Sequence, residues 1–238
     1  MDLQNRLAVV TGATEGIGRA TALALGKAGA RVAICARTEK NVRATVDALK
    51  EHGVDAIGTA CDVADPKAVT AFAAYVSQER GDAAVLVNNA GIGRFARLEN
   101  LSLEDWDAVM GTNVRSLYLV TRALLPALLR TKGAVVNLAS LAGRNGIEGG
   151  TAYCASKHAV LGFSKALMLE VRKQGVRVVA ICPGSVATPF MDKQDRPGRT
   201  ARDTMLHAED VAEAVVATLT LPDRALISEL DLRPANPG

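Results

Sequence analysis

Short runs of apolar, β-branched residues recur along the chain. Between them lie longer stretches whose apolar positions return every three or four residues. The runs Leu7–Thr11, Arg31–Ala36, Ala56–Cys61, Ala84–Asn88, Ala134–Leu138, Arg177–Cys182 and Leu226–Leu230 predict strands. Several are apolar almost throughout, as strands covered on both faces must be. The intervening patterns predict helices over 16–28, 39–52, 66–80, 103–129, 152–174 and 208–220. Gly29, Gly53, Gly81, Gly133 and Gly175 each stand between a helical pattern and the next strand, where a left-handed helix C-cap favours glycine. Alternating strands and helices imply right-handed crossovers, and hence an α/β fold: one doubly wound parallel sheet with helices on both faces. No repeat, low-complexity tract or linker divides the sequence, so 1–238 reads as a single domain. The least regular stretch, 184–207, is polar, holds Pro189, Pro197 and Gly198, and is long for a connection, which suits a substrate loop.

Composition narrows the partners. Hydrophobic residues make up 49% of the 238, enough for a substantial core, and the net charge is only +3. No basic run is interleaved with aromatics, so nucleic acid is not an expected partner. No stretch reaches the apolar length of a membrane span, and the N-terminal MDLQNRLAVVTG lacks the features of a signal peptide; a cytoplasmic location is expected. Cys35, Cys61, Cys154 and Cys182 are scattered and read as buried reduced thiols. His52, His158 and His207 have no partners at metal-ligand spacing, so no metal is expected.

The first predicted strand runs into Thr11-Gly-Ala-Thr-Glu-Gly-Ile-Gly18 and then directly into a helix. Glycines let the backbone turn tightly and approach a pyrophosphate, while the helix start offers free N–H groups. The same glycines could merely ease packing; their place after the first strand of an alternating chain favours a Rossmann-type nucleotide turn. The spacing differs from G-x-G-x-x-G.

TGATEGIG resembles the TGxxxGxG pattern of the classical short-chain dehydrogenase/reductase family. Asn88-Asn89-Ala90-Gly91 is similar to its NNAG motif, Tyr153-Cys-Ala-Ser-Lys157 to its YxxxK motif, and Pro183-Gly184 to its post-strand PG pair; Ser140 lies 13 residues before the tyrosine. The resemblance spans practically the whole chain and implies a nicotinamide-dependent oxidoreductase. It places Gly12, Thr14, Glu15, Gly16, Ile17 and Gly18 at the cofactor phosphates, and Asn89, Ala90 and Gly91 along its cleft, although Asn88–Gly91 equally suits a segment that only stabilises the sheet end. Asp62 and Val63 resemble an adenine-contacting pair, although Asp62 also suits a turn or helix cap. Val186 and Thr188 resemble carboxamide contacts, although Thr188 also suits the extended residue before Pro189.

The second strand ends at Ala36-Arg37-Thr38, without the acidic residue that binds ribose hydroxyls in NAD enzymes. A guanidinium there can hold a 2′-phosphate through charge-assisted hydrogen bonds, and Thr38 adds a hydroxyl, so NADP(H) is the expected cofactor. Glu15 is the discordant residue, unless it points away from the phosphate or pairs with Arg37.

Tyr153 and Lys157 are four residues apart, on one face of a helix. A free tyrosine ionises near pKa ~10, and a neighbouring ammonium favours the phenolate. The resemblance makes Tyr153 the general acid and base for hydride exchange between NADP(H) and a carbonyl or secondary alcohol. It makes Ser140 a hydrogen-bond donor to the reacting oxygen, and Asn113 the anchor of a proton-relay water, although Asn113 also suits a helix kink. Substrate contacts are expected from Gly91–Ala96, Leu141–Gly150 and the loop after Pro183. Ile92, Phe95, Leu141, Ile147 and Phe190 would supply apolar surface, and Arg94 and Arg144 charge. Lys193, Arg196, Arg199 and Arg202, set against Asp192, Asp195 and Asp203, would accommodate an acidic carrier or phosphate, as in the family's 3-oxoacyl thioester reductases, and equally suit a solvated loop. A second class, an NADP(H)-binding sensor with little turnover, fits the same cofactor residues. The family also implies a homotetramer or dimer built on the two long helices, where Ala152, Ala155, Ala159 and Ala166 would permit close approach.

Overall fold

The computed structural model of the chain describes residues 1–192 and 204–236. Its seven strands are β1 (Leu7–Thr11), β2 (Arg31–Ala36), β3 (Ala56–Ala60), β4 (Ala83–Asn88), β5 (Ala134–Leu138), β6 (Arg177–Pro183) and β7 (Glu229–Leu232). They form one sheet in the order β3-β2-β1-β4-β5-β6-β7, every neighbouring pair parallel. The helices are α1 (Gly16–Lys27), α2 (Glu39–Glu51), α3 (Pro66–Arg80), α4 (Leu103–Met110), α5 (Ser116–Thr131), α6 (Thr151–Val171), the short turn α7 (Pro189–Asp192) and α8 (Ala208–Thr220). Among the described residues, no helix is long and apolar enough to cross a membrane.

Side chains alternate across the strands. Ala8 and Val10 of β1 pack with Ala22 and Leu25 of α1, Val42 of α2 and Val211 and Val215 of α8. Leu7 and Val9 point the other way, to Phe72 of α3, Leu124 and Leu128 of α5 and Leu167 of α6. The central strands are therefore buried on both faces, which accounts for their nearly unbroken apolar runs. Each such leucine or phenylalanine removed from water contributes about 2 kcal/mol.

Three sequence expectations need correction. The last strand is Glu229–Leu232, not Leu226–Leu230: β6 pairs Ala180 with Glu229 and Pro183 with Leu232, while Leu226 lies outside the ladder and partly exposed. The helix predicted over 103–129 is broken by a π-helical segment at Gly111–Arg115 and continues to Thr131. Gly133 is not a left-handed cap; Lys132 takes that conformation at φ 49°. Glycine is required at 133 for space, since a Cβ there would lie 2.3 Å from the Ala84 carbonyl oxygen. Gly29, Gly53, Gly81 and Gly175 do have positive φ, although Gly81, with ψ −148°, is not in the left-handed helical conformation.

Candidate active site

A cleft of about 500 Å³ opens beyond the carboxyl ends of the strands, centred where the order turns from β1 to β4. Ligands of open parallel sheets bind at such switch points. Gly12 and Gly16 adopt φ of 63° and 54°, which folds the chain after β1 back towards α1. A Cβ on Gly12 would meet the Ala90 backbone at 2.8 Å, and one on Gly16 would meet Thr188 at 3.2 Å. The Asn89 amide donates to Thr11 O (2.9 Å) and Gly12 O (3.0 Å), and Gly18 leaves the space it occupies. The Thr11 hydroxyl accepts the Asn89 and Ala90 N–H groups at 3.1 Å. The glycine turn and the Asn-Ala-Gly segment are thus one construction. The α1 N-terminus has no side-chain cap and no acid in its first turn, so its N–H groups face the cleft available to an anion.

At the end of the cleft nearest β2 and β3 stand Arg37, Thr38, Asp62 and Val63. Arg37 is exposed and makes no ion pair with any described residue, so Glu15, which also lines the cleft, is not its salt-bridge partner. Thr38 precedes α2 without using its hydroxyl as a cap. Asp62 Oδ1 accepts the Ala64 N–H at 3.0 Å, so this aspartate does hold a turn while lining the cleft; the cap of α3 is Asp65.

At the other end lie Ser140, Tyr153, Lys157, Pro183, Gly184, Val186 and Thr188. The Tyr153 ring sits between Phe95 (5.4 Å) and Phe190 (5.9 Å), and Lys157 Nζ is 5.8 Å from its centroid. Ser140 Oγ accepts the Ala142 N–H at 3.1 Å. Val186 is braced by Leu206 through the Ala187 and Leu206 N–H groups, and the Thr188 hydroxyl faces Val186 O at 3.4 Å.

Asn113 does not line the main cleft. In its π-helical turn it donates to Ile92 O (2.9 Å) and Ser156 Oγ (3.0 Å) and accepts the Ile92 N–H (2.8 Å). It shares with Lys157, Asn88 and Ser116 a void of about 10 Å³ behind the cleft. Asn113 thus sits in a break of the helix, as the kink alternative expected, with its amide held by Ile92 and Ser156.

Lys157 is almost wholly buried and donates to Leu138 O at 2.7 Å. Burial pushes its pKa down to about 8. The unfolded chain holds this proton to about pKa 10.4, so between these values folding releases it and stability rises with pH. In the cofactor-free protein, Lys157→Met should therefore be more stable than the parent at neutral pH, by about 1–3 kcal/mol. Urea unfolding should show this gap shrinking as pH climbs from about 8 towards 10. A variant no more stable than the parent at neutral pH would contradict the buried charge.

Of the predicted substrate contacts, Ile92, Phe95, Leu141, Ile147 and Phe190 all line the cleft. Arg94 and Arg144 do not: Arg94 is bound by Asp105 at 3.0 Å, and Arg144 by Asp231 and Glu229. Lys193, Arg196, Arg199 and Arg202 lie outside the described residues. The sequence reading missed Asn41, Cys61 and Leu138 as lining residues. Cys61 stands just past the end of a strand, a position that could have flagged it. The Cys35 thiol hydrogen-bonds it, which pushes Cys35 up and holds Cys61 below its ordinary pKa. All four cysteines are free and buried. Among the described residues no cluster has the makings of a metal site.

The fold and the cleft define an α/β dinucleotide-dependent oxidoreductase. Residues 6–198 match the short chain dehydrogenase family, and the chain belongs to that family. It is 42% identical over 190 residues to the granaticin polyketide synthase putative ketoacyl reductase 1 of Streptomyces violaceoruber, covering 79% of this chain and 70% of that one. It is 34% identical over 222 residues, 90% of either chain, to a 3-oxoacyl-[acyl-carrier-protein] reductase of Pseudomonas aeruginosa. The crystal structure of a variant actinorhodin polyketide ketoreductase with NADPH superimposes with a TM-score of 0.89 at 36% identity, covering 97% of this chain and 96% of that one.

Proposed function

We propose that the chain reduces a ketone with NADPH, Tyr153 exchanging the proton and Ser140 holding the reacting oxygen. The observation that carries this reading is the buried Lys157 ammonium beside the Tyr153 ring, at the end of a cleft that begins in the glycine turn. The residues present fit a dinucleotide: the turn is open to close approach, the α1 N-terminus is uncapped, and Arg37 has no ion-pair partner among the described residues. When bound, the cofactor supplies hydride or accepts it.

The chain's own groups do the rest. Ser140 Oγ accepts from Ala142, which leaves its O–H to donate to the substrate oxygen. Tyr153 gives its proton to the same oxygen as negative charge develops there. An ammonium carries three protons; one is held by Leu138 O, which leaves two for the ribose hydroxyls and for the small void. That void, with Asn113, Asn88 and Ser116 around it, has room and partners for one water, which suits a proton relay. Asn113 acts as a positioning residue. Val186 and Thr188 would hold the carboxamide, and Asp62 and Val63 the adenine.

The named relatives are ketoacyl reductases, so a ketone beside an acyl thioester is the first substrate class to try. The protein acts as a cytoplasmic homo-oligomer. The outer face of α6, with exposed Ala166 and Leu169, and Tyr118 on α5 would form its interface; Ala152 is buried within the subunit and takes no part.

The test is loss of NADPH absorbance with the N-acetylcysteamine thioester of acetoacetate, ethyl acetoacetate and cyclohexanone. Arg37→Ala should weaken NADPH binding about 10- to 100-fold, as expected for losing charge-assisted bonds to a phosphate, and change NADH binding less than about twofold. Equal losses would overturn the assignment of Arg37. Tight NADPH binding without turnover on any compound would favour the sensor.

A further inference from the structure

Four charged side chains meet outside the cleft, beneath the turn that carries Ser140. Arg144 Nε lies 2.6 Å from Asp231 Oδ1, and its terminal nitrogen lies 2.6 Å from Glu229 Oε2. Lys165 Nζ lies 3.2 Å from the other Glu229 oxygen. Three of these groups are half-buried, the Arg144, Glu229 and Asp231 side chains retaining 31%, 20% and 35% exposure, while Lys165 is exposed. The hydrogen bonds that the guanidinium donates to both carboxylates hold it well above its ordinary pKa, so it stays charged. One fork on two carboxylates, partly shielded from water, is stronger than an isolated surface pair.

The cluster joins three elements: two carry groups of the cleft, and the third pairs with Gly184, which lines it. Arg144 closes the single 3₁₀ turn Leu141–Gly143, which starts from Ser140. Lys165 belongs to α6, the helix of Tyr153 and Lys157. Glu229 and Asp231 belong to β7, whose Leu232 carbonyl accepts the Gly184 N–H at 2.8 Å. The turn also lies hard against α6: a Cβ on Gly143 would sit 2.7 Å from the Lys157 carbonyl oxygen. Among the described residues, no other ion pair or hydrogen bond ties residues 141–145 to β7. Packing against α6 sets how closely the turn approaches that helix. The Ala139 N–H bond to Ile181 O (2.8 Å) anchors the start of the turn to β6, and the arginine fork ties its far end to β7.

We propose that Arg144 is a positioning residue: by clasping Glu229 and Asp231 it fixes the Ser140 turn relative to Tyr153 and Lys157. This rests on the reading of Ser140 and Tyr153 as the groups at the substrate oxygen. A hydroxyl displaced by a fraction of an ångström slows proton and hydride transfer without touching the far end of the cleft, where Arg37 stands. The signature is a fall in kcat, not a loss of cofactor.

The experiment uses the full chain and the panel compound that the parent reduces fastest. Arg144→Ala, Arg144→Lys and the double change Glu229→Gln with Asp231→Asn are compared with the parent. The readouts are kcat, KM, the deuterium isotope effect with 4-deuterated NADPH, NADPH affinity by fluorescence, and Tm. Arg144→Ala should lower kcat about 10- to 100-fold and raise the isotope effect, with NADPH affinity within about twofold. Arg144→Lys should recover part of the rate, since an ammonium cannot fork two carboxylates, and the carboxamide pair should behave like Arg144→Ala. Should Arg144→Ala fail to fold, the other two variants decide by the same readouts. A kcat within twofold of the parent, or a loss with unchanged isotope effect and a matching fall in Tm, overturns the proposal. Tyr153→Phe in the same assay tests the underlying reading separately. An inactive Tyr153→Phe with unaffected Arg144 variants sinks only the arginine. A Tyr153→Phe that turns over normally sinks the reading, and a parent without turnover removes both.

Discussion

Tyr153→Phe should lower turnover about a thousandfold while NADPH affinity stays within about twofold. The substitution keeps the ring, and with it the contacts to Phe95 and Phe190 and the neighbouring Lys157 ammonium, so the walls of the cleft persist. What is lost is the hydroxyl. A positioned acid or base contributes about 10²–10⁴ in rate, and no histidine lines the cleft to replace it. Steady-state rates beside a fluorescence titration check this. A variant with more than a tenth of the parent turnover would show that some other group delivers the proton.

Gly18→Ala should abolish most cofactor binding and cost about 3 kcal/mol of stability. The new Cβ would lie 2.3 Å from Asn89 Nδ2, 2.4 Å from Gly12 O and 2.9 Å from the Ala13 Cα. Two of these three are backbone atoms, so the side chain of Asn89 must leave. Its two hydrogen bonds to Thr11 and Gly12 then go, and buried carbonyls are stranded. Overpacking adds about 1–3 kcal/mol of its own. NADPH affinity should fall about a hundredfold or more, because the loop proposed to receive the phosphates loses its tie to the end of β4. Gly162→Ala, on α6 and with nothing in the subunit within 4 Å of the added carbon, is the control for cofactor binding. It should leave affinity alone. Urea unfolding and fluorescence titration of both variants decide it; parent-like affinity in Gly18→Ala would break the argument.

Local chemistry explains which parts were legible in the sequence. β1, β2 and β5 fall on their expected bounds because strands buried on both faces leave uninterrupted apolar runs. The cleft residues were legible because nearly all of them follow strand ends in order along the chain. β7 was misplaced because Ala225-Leu226-Ile227 is more apolar than Glu229-Leu-Asp-Leu232, yet β6 pairs with the latter. Its acids are tolerated there because Arg144, 85 and 87 residues earlier, reaches them. The same distance in sequence made Arg144 look like an unpartnered substrate contact, and Arg94 was misread for want of seeing Asp105. The need for glycine at 133 comes from the Ala84 carbonyl, a neighbour from a different strand, and not from a left-handed cap. In each case the deciding partner is remote along the chain, and periodicity carries no trace of it.

The position of β1 between β2 and β4 also has a bearing on how the chain is made. β1, α1, β2, α2 and β3 can assemble as they emerge, but the opposite edge of β1 waits for Ala83–Asn88. At about 5–20 residues per second that wait lasts roughly 4–15 s, with Val9 and Val10 beside an unsatisfied row of backbone groups. The crevice that receives the nucleotide is thus also the seam along which the nascent protein is most open to wrong pairing. Asn89, which arrives at once after β4 and fastens it to Thr11 and Gly12, closes the seam.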